Sequence, residues 1–277
     1  AMTEVRPPGD GTVGKALGVL DRVAGFGRPA RLAELQTVCG LPKATLYRLL
    51  QTLVSQGMLT HDPDTQTYAL GVRLVRLAHA AWTQSSLAPL ARQHLDRLSA
   101  ETGDTVHLAQ LDGAHVLYVD KRNAHRPVDM FSQAGRVGPA YCTGVGKAML
   151  AFADPAVLDR VLPQQSFHGF TPATITDEGA LRQELAQIRA DGHAFDREEH
   201  EPGIICVAVP VLSLRGRLLG GLSITGSVTR CSLDGLTDEL PKLTAAAQAI
   251  AEDVAAWRFP EAEPASLAAN EVPNVRS

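Results

Sequence analysis

Cys39-Gly40-Leu41-Pro42-Lys43-Ala44-Thr45-Leu46-Tyr47-Arg48-Leu49-Leu50 reads as a tight turn that passes the chain from one short helix to the next. Gly40 makes the turn, and Pro42 suits the first turn of the following helix, where its missing N–H would be unpaired in any case. That helix places Leu46, Leu49, Leu50, Leu53 and Val54 on one face. Lys43, Thr45, Tyr47, Arg48 and Gln51 fall on or near the other side, with Ala44 among them. Upstream, Leu32, Leu35 and Val38 share a face of a helix expected over Arg31–Val38. Earlier still, Val13, Ala16, Leu17, Leu20, Val23 and Ala24 recur at helical spacing until Gly25-Phe26-Gly27 stops them. Two short helices across a glycine turn form a helix-turn-helix unit.

Downstream of Gly57 the period changes. Met58–Thr60 and Gln66–Leu70 read as strands around His61-Asp62-Pro63-Asp64-Thr65, residues that favour tight loops, so a wing is expected. From Gly71 a linking helix follows, with Leu70, Leu74, Leu77 and Ala81 in step and Val72, Val75 and Trp82 widening its apolar surface. A helix apolar on more than one side suits self-association as well as linkage; an ordinary core helix is the plainer alternative.

The second part opens with an amphipathic helix marked by Leu87, Leu90, Ala91, Leu95 and Leu98. Thr105–Leu111 and Ala114–Lys121 form a hairpin about Asp112-Gly113, and a strand is expected near Val128–Phe131. The glycine-rich stretch Gly135–Gly146 leads into a helix over Lys147–Phe152, and Asp177–Ala190 is a further helix, acidic at its start. Ile204–Leu212 and Leu218–Thr225 are apolar strands about Arg215-Gly216, and a last helix runs over Leu236–Trp257. Hairpins mixed with helices favour an α+β fold with an antiparallel sheet over a doubly wound one. The expected organisation is a flexible N-terminus over 1–11, a winged helix-turn-helix over 12–70, a linking helix over 71–86, a sensing domain over 87–257 and a disordered tail over 258–277.

Composition and charge narrow the function. With 45% hydrophobic and 20% charged residues, the 277-residue chain can build packed cores. No apolar run reaches the roughly 18 residues of a membrane span, and Ala1–Gly11 lacks the apolar core of a signal peptide, so a soluble cytoplasmic protein is expected. Cys39, Cys142, Cys206 and Cys231 are far apart and read as thiols, not as a zinc or disulfide framework. Residues 1–80 carry nine Lys and Arg against six Asp and Glu, whereas residues 81–277 carry 17 against 24. A basic module joined to an acidic one suits nucleic-acid binding coupled to sensing or assembly.

Enzyme signatures fail on context. Gly25-Phe26-Gly27-Arg28-Pro29-Ala30 imitates a dinucleotide loop but follows a helix. Gly146-Lys147 resembles the end of a phosphate loop, yet Tyr141 and Ala148 occupy positions that need Gly and Ser or Thr. Gly221-Leu222-Ser223-Ile224-Thr225 lacks the last glycine of a nucleophile elbow. Glu198-Glu199-His200-Glu201 could serve a metal or acid/base site, or be a solvated loop. No catalytic or metal-ligating residue is therefore assigned, and no cofactor is expected.

A ligand site is legible in the second part. Thr143-Gly144-Val145-Gly146 precedes a helix, and glycines there let backbone N–H groups approach an anion where the helix dipole favours it. Ser223 and Thr225 lie two apart on one strand and point to one face, with Cys206 and Ala208 on a neighbouring strand. Such a cavity suits a small carboxylate. Alternatively, the two hydroxyls bond neighbouring strands or water.

Three further stretches join Leu32–Leu59 in order along the chain: Glu101–Leu108, Tyr141–Lys147 and Asp196–Ala208. Together, over residues 12–257, they resemble the IclR family of bacterial transcription regulators. Leu212-Ser213 departs from that family's usual aromatic followed by Asp or Asn. The resemblance implies an N-terminal winged helix, a linking helix and a C-terminal GAF-like effector domain, working as a homodimer or homotetramer on double-stranded promoter DNA. It implies effector contacts at Met130, Gly144, Val145, Asp196, Ile204, Cys206, Ser223 and Thr225. Asp196–Thr225 is similar to regulators of 2-keto-3-deoxygluconate and related sugar-acid catabolism, which implies a repressor of a catabolic operon controlled by a small carboxylate. Two other classes stay open on the residues alone: a small-molecule enzyme with a fused winged-helix assembly domain, and an interaction scaffold.

Overall fold

The computed structural model describes residues 11–84, 87–124, 130 and 132–256. The chain divides into two compact units, Ala1–Ser85 and Ser86–Ser277. In the first, α1 (Thr12–Gly25), β1 (Ala30–Arg31), α2 (Leu32–Cys39) and α3 (Lys43–Ser55) lead to β2 (Leu59–Asp62), β3 (Thr67–Leu70) and α4 (Val72–Gln84). Gly40 sits at φ 61, a left-handed conformation that glycine adopts without steric cost, and this lets α2 and α3 meet across a three-residue junction. Leu35 of α2 packs with Leu46, Leu49, Leu50 and Leu53 of α3 and with Val19, Leu20 and Val23 of α1. Leu59 and Tyr68 of the wing close the same core.

The wing is an antiparallel sheet of order β1-β3-β2, with Leu59 opposite Leu70 and Asp62 opposite Thr67. His61 and Asp62 thus belong to the strand, and the turn proper is Pro63–Gln66. Asp62 Oδ1 accepts the Asp64 N–H at 2.9 Å and so fixes the turn. The strand β1 was not expected, because two residues leave no readable period.

Two apolar stripes differ from expectation. The buried side of α1 runs through Val19, Leu20 and Val23, one position round from the stripe read in the sequence, so Val13 and Leu17 are exposed. On α4, Leu74 packs against the helix-turn-helix core, while Val72, Val75 and Leu77 are 71%, 67% and 50% exposed. Within the single chain α4 is therefore not an ordinary core helix. The side chain of Trp82 falls outside those described.

In the second unit, α5 (Leu87–Thr102), β4 (Thr105–Asp112), β5 (His115–Arg122) and β6 (Val137–Pro139) precede α6 (Gly144–Phe152) and α7 (Pro155–Val161). After a 3₁₀ turn at Leu162–Gln164 come α8 (Glu178–Asp191), β7 (Ala194–Arg197), β8 (Ile204–Leu212), β9 (Leu218–Ser227), α9 (Leu233–Asp238) and α10 (Leu240–Ala256). The sheet is antiparallel throughout, in the order β6-β5-β4-β9-β8-β7. Its register sets Asp196 opposite Cys206 and Cys206 opposite Thr225; two residues along, Ala208 faces Ser223 and Ser223 faces His107. Opposed residues share a face of the sheet, so all these side chains project to one side. The helix α6 covers that side, with α8 packed outside it, while α5 and α10 pack on the side to which Val207, Leu222 and Ile224 point.

The hairpins β4–β5 and β8–β9 match the sequence reading, but β6, β7 and α7 were not expected. The final helix is two helices, α9 and α10, because Pro241 has no N–H with which to continue a helical ladder from α9. Apart from Met130, the strand expected near Val128–Phe131 lies outside the described residues, as do residues 1–10 and the tail from 257. Among the described residues no helix is long and apolar enough to cross a membrane.

Candidate functional site

The exposed face of α3 carries Lys43, Ala44, Tyr47, Arg48 and Gln51, and Thr45 is half-buried at its edge. Leu46, Leu49, Leu50 and Leu53 are buried on the opposite face, so packing alone orients the polar residues outward. The Gln51 side chain lies beside the Tyr68 hydroxyl of β3, and Tyr68 packs on the His61 ring at 4.7 Å between centroids. The wing and the outer face of α3 are thereby joined side chain to side chain. The wing tip is acidic, with Asp62 and Asp64.

In the second unit, a cavity of about 40 Å³ lies between the sheet and the start of α6. Met130, Gly144, Val145, Asp196, Ile204, Cys206, Ser223 and Thr225 all line it. His107, Tyr118, Ser132, Thr143, His200 and Glu201 complete the wall. Thr143, the residue before α6, does not cap it; its hydroxyl donates instead to Pro139 O at 2.7 Å. The first-turn N–H groups are thus left to other acceptors, and the Cys206 sulfur lies close to Gly144. A Cβ at position 144 would run into that sulfur, which explains the glycine.

The buried polar groups are held in a fixed arrangement. His107 bridges Ser132 Oγ, 2.7 Å from its Nε2, and Thr225 Oγ1, 3.2 Å from its Nδ1. Burial, helped by the Lys121 ammonium, pushes the His107 pKa down to about 3, so the ring is neutral. Burial pushes Asp196 up to about 7; the Glu199 N–H, which it accepts at 2.8 Å, opposes the rise, and the Glu199 and Glu201 carboxylates add to it. The Cys206 thiol is also pushed up by burial and stays protonated.

Behind Asp196, Lys147 is fully buried on α6 and donates to Glu199 Oε1 at 2.6 Å and Glu184 Oε1 at 2.9 Å. Its ammonium is spent on carboxylates and is not presented to a phosphate. The polar run Glu198–Glu201 accordingly divides: Glu199 is buried against Lys147, and His200 and Glu201 line the cavity. Among the described residues no group of His, Cys, Asp and Glu could hold a metal ion. His107, Tyr118 and Ser132 escaped the sequence reading. Only His107 had a signal, since its spacing from Thr105 and Ala109 puts it on the same side of its strand as they are.

Two sequence profiles match the chain: the IclR helix-turn-helix domain over residues 12–63, and the bacterial transcriptional regulator IclR C-terminal domain over residues 79–252. The chain belongs to the IclR family. It is 34% identical over 219 residues to the HTH-type transcriptional regulator XynR of Escherichia coli K12, covering 79% of this chain and 87% of XynR. It is 31% identical over 260 residues to the HTH-type transcriptional regulator KdgR of the same strain, covering 94% of this chain and 98% of KdgR. The crystal structure of Thermotoga maritima IclR superposes with a TM-score of 0.70 at 28% identity, covering 88% of this chain and 98% of that one. This IclR-family chain is thus a DNA-binding transcriptional regulator with a small-molecule effector domain, and not an enzyme. The chemistry agrees: Glu199 is neutralised by Lys147, and the Cys206 thiol is disfavoured as a nucleophile.

Proposed function

We propose that this regulator represses a catabolic operon and is released by a small hydroxy- or keto-carboxylate bound in the cavity of the second unit. The observation that carries this reading is the convergence of Gly144, Val145, Asp196, Ser223 and Thr225 on one cavity. The start of α6 offers backbone N–H groups to a carboxylate, while Ser223, Thr225 and Asp196 are placed to bond a hydroxyl or keto oxygen. Keto sugar acids are the class suggested by sequence likeness. A cavity of about 40 Å³ admits only a few water-sized groups, so a six-carbon acid needs the Met130 wall to yield much further than glyoxylate does.

DNA contact is assigned to Lys43, Ala44, Thr45, Tyr47, Arg48 and Gln51 on α3. The protein acts as a homodimer, or as a pair of dimers, because one winged helix covers too few base pairs for specificity. The exposed Val72, Val75 and Leu77 of α4 favour self-association. The four free thiols fit a reducing cytoplasm.

Calorimetry with 2-keto-3-deoxygluconate, galactonate, gluconate and glyoxylate tests the effector. Ser223→Ala with Thr225→Val should weaken the response and leave ligand-free DNA binding nearly intact; no heat from any acid removes the carboxylate reading. Val75→Glu with Leu77→Glu should give monomers in light scattering, and a variant that stays dimeric places the contact elsewhere.

A further inference from the structure

The cavity presents an electrostatic difficulty for a carboxylate. No lysine or arginine is among the described residues that line it, whereas two carboxylates, Asp196 and Glu201, are. The groups that bear on Asp196 come from every surrounding element: His107 from β4, Tyr118 from β5, Cys206 from β8, Cys142 and Lys147 at α6, and Glu199, His200 and Glu201 from the loop after β7; the Lys121 ammonium of β5 acts on His107 and donates to Ser132 O at 2.7 Å, behind the cavity lining. Burial holds both imidazoles toward their neutral forms. The charge of Lys147 is already shared between Glu199 and Glu184. An anionic effector beside an anionic Asp196 would place two like charges in a buried space, an arrangement that one of the two must escape by taking a proton.

We propose that a carboxylate effector enters this cavity together with one proton, taken from solvent by Asp196, whose new O–H then donates to the effector. The inference rests on the carboxylate reading above and adds the regulation of that same site: response to the effector depends on pH. Asp196 is suited to the role by position. Its Oδ1 is held by the Glu199 N–H, which keeps the carboxyl aligned in either state, and it is only 7% exposed. Its pKa near neutrality means that the free protein carries the charge above pH 7 and can discharge it at small cost.

The test is calorimetry of the full-length protein with glyoxylate and with gluconate at about pH 8, in phosphate and in Tris, whose ionisation heats differ. The apparent heats should differ between the buffers by the ionisation of about one proton, and affinity should fall roughly tenfold per pH unit above the Asp196 transition. Asp196→Asn should bind with the same heat in both buffers and with affinity flat in pH. Equal heats in the wild-type protein overturn the proton, and a buffer dependence that survives in Asp196→Asn overturns its assignment to Asp196. Should that variant not fold, the wild-type profile decides alone, since affinity flat from about pH 6 to 9 is incompatible with uptake. Silence from both acids in both buffers overturns the carboxylate reading itself, a different failure.

Discussion

Lys147 Nζ lies 2.6 Å from Glu199 Oε1, with the two side chains 0% and 4% exposed and the residues 52 apart in sequence. The Glu199 backbone N–H in turn binds Asp196 Oδ1, so the ion pair fixes the loop that forms one wall of the cavity. Lys147→Met strands a buried carboxylate and should cost about 3–5 kcal/mol in urea unfolding of the effector domain. Lys147→Met with Glu199→Leu should recover most of that loss, because removing both charges also removes their desolvation. A single variant within about 1 kcal/mol of wild type would show that water reaches the pair.

Gly144 and Gly146 look alike in sequence but are constrained differently. A Cβ at 144 meets the Cys206 sulfur, a side-chain atom, whereas a Cβ at 146 meets the Ala140 backbone and Thr143 Oγ1. Gly144→Ala should therefore cost about 1–3 kcal/mol and weaken effector binding, and Cys206→Ala in the same chain should restore much of both. Gly146→Ala should cost more, with no rescue by Cys206→Ala. Equal rescue of both glycine variants, read in thermal melts, would contradict this difference.

Asp196 and His107 drive stability in opposite directions with pH. The folded pKa of Asp196 is raised from 3.8 to about 7, so the folded state holds the extra proton between these values; the stability it contributes is present at low pH and is lost as pH rises toward 7. The folded pKa of His107 is lowered from 6.5 to about 3, so its contribution is present above pH 6.5 and is lost as pH falls through that window. Asp196→Asn should raise the unfolding free energy, and with it the Tm, by more at pH 8 than at pH 5, the free energy on the order of 1.4 kcal/mol per pKa unit of displacement. His107→Gln should flatten the acid limb between about pH 6 and 4. An identical Tm offset of Asp196→Asn at both pH values would mean that its carboxyl is not displaced by burial.

What could be read in the sequence was what recurs or breaks a recurrence. The stripe Leu46, Leu49, Leu50, Leu53 and Gly40 marked α3 and its turn, and alternation in β9 put Ser223 and Thr225 on one face; that Cys206 shares it came only with the register of β8 on β9. The strand β1 was missed because two residues give no period, and β7 because its four residues end in the charged pair Asp196-Arg197 and lack the tight turn that marked the equally short β2 and β3. The Lys147–Glu199 pair was invisible for another reason: each residue is ordinary beside its neighbours, and only the packing of α6 on the loop after β7 brings them together. Exposure of Val13 and Leu17 was misjudged because Val19 lets a second apolar stripe compete on α1, and tertiary contacts chose between them.

Arg48 and Lys43 should differ in how they bind DNA. Both are exposed on the outer face of α3, which the buried leucines behind it hold outward, and the start of such a helix is the part that enters the major groove. Lys43 is the first residue of α3 and Arg48 lies more than one turn further in; on the proposed docking the longer, forked Arg48 reads base edges and Lys43 pairs with a phosphate. Arg48→Ala should cost about 1–3 kcal/mol on operator DNA and little on random DNA, whereas Lys43→Ala should weaken both alike and reduce the salt slope by about 1. The wing offers a third measurement. Asp62 is occupied in holding the turn, but the Asp64 side chain is at the exposed tip, so Asp64→Lys should raise affinity for all DNA and steepen the salt slope if that tip runs beside phosphates. Affinity unchanged in Asp64→Lys would place the wing away from the backbone, and equal losses of Arg48→Ala on operator and random sequence would move Arg48 from base reading to phosphate contact.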